Sequence, residues 1–164
     1  MKKAFKILGI GLLAVIISGN AIIRSNFKPI LAEIYYVDHT MLRLIPIDID
    51  LGYTTVNLGA KKMLNKLIEG QDENRKILRV IPDIKNCMSV NIKDRTAYVN
   101  LKKELLDNLS DNRNHELLFL YQIVNSLTSI EGIDTVKFLI DGEDKKEFIA
   151  GIDMREYFIP DYYI

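Results

Sequence analysis

Residues 55–70 read Thr-Val-Asn-Leu-Gly-Ala-Lys-Lys-Met-Leu-Asn-Lys-Leu-Ile-Glu-Gly. Val56, Ala60, Met63, Leu64, Leu67 and Ile68 recur at i, i+4, i+7, i+8, i+11 and i+12, the period of a helix with one apolar face. Lys61, Lys62, Asn65, Lys66 and Glu69 fall outside that face. Thr54 or Thr55 can cap the exposed amides at the start, and Gly70 can take the left-handed conformation that closes the end. A helix over 55–69 is predicted, and what lies on either side decides the fold.

Upstream, Leu31–Asp38 (LAEIYYVD) and Leu42–Asp48 (LRLIPID) are apolar and aromatic runs of strand length. His39-Thr40-Met41 joins them as a hairpin, and Pro46 marks an edge or a strand end because proline cannot donate to a ladder. Downstream of the charged loop Gln71–Lys76, Leu78–Pro82 reads as a short extended piece. Ser89–Ile92 and Thr96–Asn100 make a second hairpin around Lys93-Asp94-Arg95, and Leu101–Leu109 has room for one or two helical turns. Asn114–Ile130 is the longest helix, with Leu117, Leu120, Tyr121, Val124, Leu127 and Thr128 facing inward and Gly132 ending it. Thr135–Ile140 is a strand, and Asp141-Gly142 is the strongest turn signal in the chain. Phe148–Gly151 and the aromatic tail Tyr157–Ile164 finish the domain.

The order ββαββαβ predicts an α+β fold: a single mixed β-sheet with two helices packed on one face. A body of about 140 residues can bury a core without disulfides or metals. Cys87 is the only cysteine, so no intramolecular disulfide forms, and no base sits nearby in sequence to activate it.

Residues 1–23 read as an export segment, 24–30 as a short polar linker and 31–164 as one folded unit. Met1–Lys6 is basic, Ile7–Ile17 is unbroken apolar chain, and Ser-Gly-Asn-Ala follows at 18–21. That is the pattern of a secretory signal cut after Ala21. Ile22 and Ile23 extend the run to the lower limit for spanning a bilayer, about 17–25 residues, so a retained anchor through residues 7–23 is the other reading. Both leave Lys2, Lys3 and Lys6 inside and place the body outside the cytoplasmic membrane. No cysteine follows the run to carry a lipid. Beyond those lysines the chain has 19 basic and 22 acidic side chains, without the basic stripe a nucleic-acid binder requires.

Candidate chemistry is sparse. His39 falls in a hairpin turn and His115 at a helix start, neither at metal-ligand spacing. No glycine loop matches a phosphate cradle. Asp141, Glu143 and Asp144 run into Lys145-Lys146 and lack the spacing of a calcium loop. Asp48 and Asp50 share a strand face, but nothing marks a substrate groove. The chain reads as no enzyme, with no cofactor and no metal.

The unusual stretch is 122–129. Gln122, Asn125, Ser126 and Ser129 fall on one flank of the long helix at i, i+3, i+4 and i+7. They either hydrogen-bond exposed backbone of a neighbouring strand or form a partner-facing polar seam. The tail tyrosines Tyr157, Tyr162 and Tyr163 either pack on the sheet or form a docking segment.

The body resembles the GerMN domain, the sporulation and germination domain of spore-forming bacteria. The resemblance covers residues 31–155. It is carried by Ile34–Asp38 with Leu42–Pro46, by Ala60–Gly70 with its Leu67-Ile68-Glu69-Gly70 ending, and by Ile81-Pro82. Met88–Ile92, Ala97–Leu101, Glu116–Thr128 and the strand Val136–Ile140 running into Asp141-Gly142 complete it. The resemblance implies a fold similar to the ring-building motifs of secretion systems, whose domains pack side by side. It implies a non-catalytic, extracytoplasmic assembly role, with other envelope or sporulation channel proteins, or further copies, as partners. A cell-wall binding module is the alternative, with Tyr35, Tyr36, Tyr157, Tyr162 and Tyr163 as candidates for stacking on sugar rings.

Overall fold

The Thr55 hydroxyl accepts the Leu58 N–H at 3.3 Å and opens helix α1, Val56–Glu69. Gly70, at φ 69°, closes it by donating its N–H to the Lys66 carbonyl at 3.0 Å. The buried face is Gly59, Ala60, Met63, Leu64, Leu67 and Ile68, so the predicted apolar stripe holds except that Val56 is half-buried and Gly59 joins it. Gly59 sits where a strand crosses closely: a Cβ there would lie 3.0 Å from Ile30 Cδ1.

The computed structural model describes residues 26–70, 77–82, 84, 86–109 and 111–164. The export segment 1–23, the beginning of the linker and the charged loop 71–76 lie outside the described residues. Among those described, no helix is long and apolar enough to cross a membrane.

The strands are β1 (Lys28–Asp38), β2 (Leu44–Thr54), β3 (Ile77–Leu78), β4 (Met88–Lys93), β5 (Thr96–Leu101) and β6 (Thr135–Ile140). Strand β1 begins at Lys28, inside the segment read as linker, and Ile30 is buried. Strand β2 continues through Gly52, whose φ of 75° accompanies a register shift between Pro29 and Leu31. A four-residue helix α2 (Lys103–Leu106) and the long helix α3 (Arg113–Thr128) link β5 to β6, which pair in parallel. Both turns fall where predicted, though Lys93 stays in β4 and leaves a two-residue turn: Asp94-Arg95 and Asp141-Gly142 all have positive φ.

The strands do not form one sheet. They divide into two three-stranded sheets ordered β2-β1-β3 and β4-β5-β6. The predicted single sheet with both helices on one face gives way to two sheets held together by helices. On one edge β1 pairs with β2; on the other β3 pairs over only Val37 and Asp38, and α3 lies along the rest, where the second hairpin would have to pair. Both α1 and α3 touch both sheets. The main core therefore mixes Ile34, Tyr36, Met63, Leu67, Val99, Ile123 and Phe138 from all of these elements. A smaller cluster of Tyr35, Val37, Leu44 and Leu118 lies on the other face of β1.

Candidate interaction surface

The polar flank of α3 faces inward. Beyond the short β3 ladder, one backbone edge of β1 would lie buried without partners, and such groups must be satisfied. Ser126 and Ser129 do this. The Tyr35 N–H donates to Ser126 Oγ at 2.8 Å and the Glu33 N–H to Ser129 Oγ at 3.0 Å. Ser129 Oγ in turn donates to the Glu33 carbonyl at 2.8 Å. A helix row at i and i+3 thus stands in for a missing strand. Asn125 Nδ2 donates to the Asp161 carbonyl at 2.7 Å and accepts the Asp161 N–H on Oδ1 at 3.0 Å. Gln122, Asn125 and Ser126 are buried and Ser129 half-buried. These four residues serve the chain's own backbone or interior, and the partner-facing seam is corrected to an internal one. Gln122 Oε1 is buried without a hydrogen-bond partner among the described residues.

The tail crosses the outer face of the first sheet. From the Asn125 clamp, Tyr162 lays its ring 5.8 Å from that of Tyr35, and the Ile164 carbonyl accepts the Leu44 N–H at 3.0 Å on the free edge of β2. Farther along this edge Pro46 has no N–H, and Asp50 Oδ1 takes the Gly52 N–H at 2.7 Å. The edge is therefore blunted against adding another strand. Tyr162 stays half-exposed, Tyr163 fully so, and Tyr157 is exposed beside the second sheet. The three tail tyrosines do reach solvent, but Tyr157 sits apart. Its hydroxyl, bonded to Tyr98, holds the Tyr98 phenol above its usual pKa.

Two buried charges escaped the sequence reading, because their partners are backbone groups. Lys137 donates to the Met154 and Arg155 carbonyls, both at 2.8 Å, and pairs with Asp144 at 2.9 Å. Glu116 accepts the Ile152 N–H at 3.0 Å and the Ala150 N–H on its other oxygen. Lys137 gives one visible signal, a charge inside the apolar run 136–140; Glu116, which follows polar residues at the head of α3, gives none. Together they staple the segment after β6 to the body.

The histidine and cysteine candidates do not assemble. His39 is exposed in the β1–β2 turn, and Cys87 is buried in the core. Among the described residues no cluster of His, Cys, Asp or Glu could hold a metal. His115, Glu116, Phe119 and Phe148 line a hollow of about 200 Å³ with Met41 and Val80. That is below the roughly 300–1,000 Å³ of ordinary ligand sites, and the Glu116 carboxylate there is already taken by backbone.

Two exposed faces remain. On the outer face of the first sheet, Leu31 opposes Asp50 and Glu33 opposes Asp48, and Leu31 is 76% exposed. Along α1, Lys61, Lys62 and Lys66 are exposed, and Leu58 in its first turn is 45% exposed. Helix α1 packs on β1, β2 and β4; from it Lys62 reaches back to donate to the Leu51 carbonyl at 2.7 Å, and Lys66 pairs with Glu69 at 2.7 Å.

Comparison with known proteins agrees with this architecture. The first GerMN domain of the sporulation protein GerM from Bacillus subtilis superposes with a TM-score of 0.61 at 21% identity, over 79% of this chain and 96% of that one. The tandem GerMN domains of the same protein give 0.64 at 21%, over 80% of this chain and 46% of theirs. A candidate lipoprotein from Clostridium perfringens gives 0.57 at 22%, over 80% and 88%. No curated protein matches. The family described as "Germane: Sporulation and spore germination" matches residues 33–146, well over half of the sequence. The chain belongs to the Germane family of sporulation and spore germination domains.

Proposed function

We propose that this domain is a non-catalytic assembly module of sporulation or germination envelope complexes, working outside the cytoplasmic membrane. The carrying observation is a pair of oppositely charged surfaces, one on the outer face of the first sheet and one on α1. Glu33, Asp48 and Asp50 surround Leu31 on the first; Lys61, Lys62 and Lys66 stand along the second. The acidic one has an apolar centre and a polar rim, the layout of a protein interface. Since the faces differ, contact between copies is head to tail, which builds a ring if the rotation closes. Other envelope or sporulation channel proteins with the same complementarity can take either end of such an array. The blunted edge of β2 favours docking through faces rather than by strand addition. The lipoprotein description of a structural relative supports residence at the membrane.

The test is genetic. A sporulating host lacking this gene should lose heat-resistant spores, and the native chain should restore them. The triple variant Glu33→Lys, Asp48→Lys, Asp50→Lys should be made and exported but fail to restore. Full restoration by that variant removes the face from the account.

The exposure of Tyr157, Tyr162 and Tyr163 favours a second reading, stacking on the sugar rings of the cell wall. Saturable, sugar-competed binding to purified wall would support it. Absence of binding leaves the assembly reading alone.

A further inference from the structure

One end of the molecule has a composition and a position that the assembly role does not use. Strand β1 starts there at Lys28, β2 ends there at Thr54 and α1 starts there at Val56. The loop after α3 joins the same end, since Glu131 pairs with Lys28 and a Cβ at Gly132 would lie 3.4 Å from Val56 Cγ2. The turn between β4 and β5 joins it through Arg95, whose Nη2 donates to Asp134 Oδ1 at 2.6 Å.

On this end Phe27 and Tyr53 stack, with ring centroids 6.2 Å apart and an angle of 24° between planes. Tyr53 is 68% exposed, and Leu58 in the first turn of α1 is 45% exposed. Lys28 with Glu131 and Arg95 with Asp134 present neutral pairs rather than lone ions. An aromatic pair with one phenol, an exposed leucine and paired charges is the composition favoured at the level of lipid headgroups.

Chain length supplies the position. Three residues separate Ile23, the end of the apolar run, from Phe27, a reach of at most about 14 Å. A body tethered so closely meets the bilayer with the end that carries Phe27.

We propose that this end is a lipid-contact surface, with Phe27, Tyr53 and Leu58 seated at the boundary between headgroups and acyl chains of the outer leaflet. The proposal rests on residues 7–23 remaining in the membrane. It fixes the orientation of the domain: β1 stands away from the bilayer, and the acidic and basic faces lie sideways, available to neighbours in the membrane plane. The turn around Leu42 is then the far end, about 33 Å away for an eleven-residue strand.

The sequence has no tryptophan, so a single introduced indole reports alone. The full chain is reconstituted in vesicles of phosphatidylethanolamine and phosphatidylglycerol doped with phosphatidylcholine brominated on the upper acyl chain. Tyr53→Trp and Leu42→Trp both replace exposed side chains, and circular dichroism checks that each variant is folded. The expected result is blue-shifted, bromine-quenched emission from Tyr53→Trp and unquenched, water-like emission from Leu42→Trp. Hydrogen exchange on the unsubstituted chain gives a second reading: vesicles should slow exchange at 53–58 relative to detergent, leaving 39–43 unchanged. Vesicle flotation separates the failures. A chain that floats with no quenching at Tyr53→Trp and no slowing at 53–58 overturns the seating while keeping the anchor. A chain that does not float overturns the anchor, and the seating with it.

Discussion

Asn125 and Asp161 exchange two hydrogen bonds, side-chain amide to backbone carbonyl at 2.7 Å and backbone N–H to side-chain oxygen at 3.0 Å. One fully buried asparagine thereby reads the tail as a strand neighbour would, and fixes where Tyr162 and Ile164 land. Replacing it by leucine leaves both Asp161 backbone groups unmatched, at a cost of about 1–3 kcal/mol. The Asn125→Leu melting temperature should fall, and amide exchange at 161–164 should rise more than in the sheets. Unchanged tail exchange would contradict the clamp.

Ser126 and Ser129 both complete the edge of β1 but differ in burial. At Ser126→Ala the Tyr35 N–H is left in a dry site, again worth about 1–3 kcal/mol. At half-buried Ser129→Ala water can replace the hydroxyl, so the loss should be smaller. Urea unfolding of the two variants checks the order, and a larger loss at Ser129 would reverse the assignment.

Gly59 is needed by Ile30 rather than by the helix. A helix interior gains about 0.5–1 kcal/mol when glycine becomes alanine, but overpacking costs about 1–3 kcal/mol. With a Cβ 3.0 Å from Ile30 Cδ1, Gly59→Ala should destabilise the native chain. Ile30→Val removes that methyl, so Gly59→Ala should be neutral or stabilising in its presence, a coupling of about 1 kcal/mol or more. Additive effects would show that the close approach is unimportant.

Asp38 contributes to an acid limit of stability and Tyr36, together with Tyr35, to an alkaline one. The Thr40 hydroxyl, at 2.7 Å, holds the Asp38 carboxyl below its usual pKa, with help from the Leu42 and Arg43 amides and the Arg43 charge. A lowered acid contributes stability above its unfolded pKa, about 3.9, and that stability is lost as pH falls through the still lower folded value. Burial, with a smaller push from Glu69, raises Tyr36 to about 12. Its contribution is complete below the unfolded value near 10 and disappears as pH rises toward 12. Melting temperatures across pH should therefore show an acid limb that Asp38→Asn flattens and an alkaline limb that Tyr36→Phe flattens. Limbs unaffected by these substitutions would assign the dependence elsewhere.

Helix α1 was legible because one face is buried and the other wet, so its apolar period appears in the sequence. Helix α3 was legible as a helix but not as to its faces. It lies against β1, β6, α1 and the tail, and is buried nearly all round. Serines that complete a strand edge look, in sequence, like the polar flank of a surface helix. The turns at Asp94-Arg95 and Asp141-Gly142 were legible because local backbone chemistry dictates them. The division into two sheets was not, because alternation marks a strand and says nothing of its neighbour. The acidic face at Asp48 and Asp50 was noticed only as a weak catalytic candidate; the cross-strand register with Leu31 and Glu33 makes it a surface.

Sedimentation of charge-swapped pairs tests assembly through oppositely charged faces most directly. The native body should self-associate with rising concentration, and less so at high salt. Glu33→Lys, Asp48→Lys, Asp50→Lys in one variant, and Lys61→Glu, Lys62→Glu, Lys66→Glu in another, should each remain monomeric alone at the same concentration. Within one variant the two faces then carry like charge, whereas in a mixture of the two the reversed faces complement each other. The mixture should regain association. Undiminished self-association of either variant, or a mixture that stays monomeric, would contradict that mode of assembly.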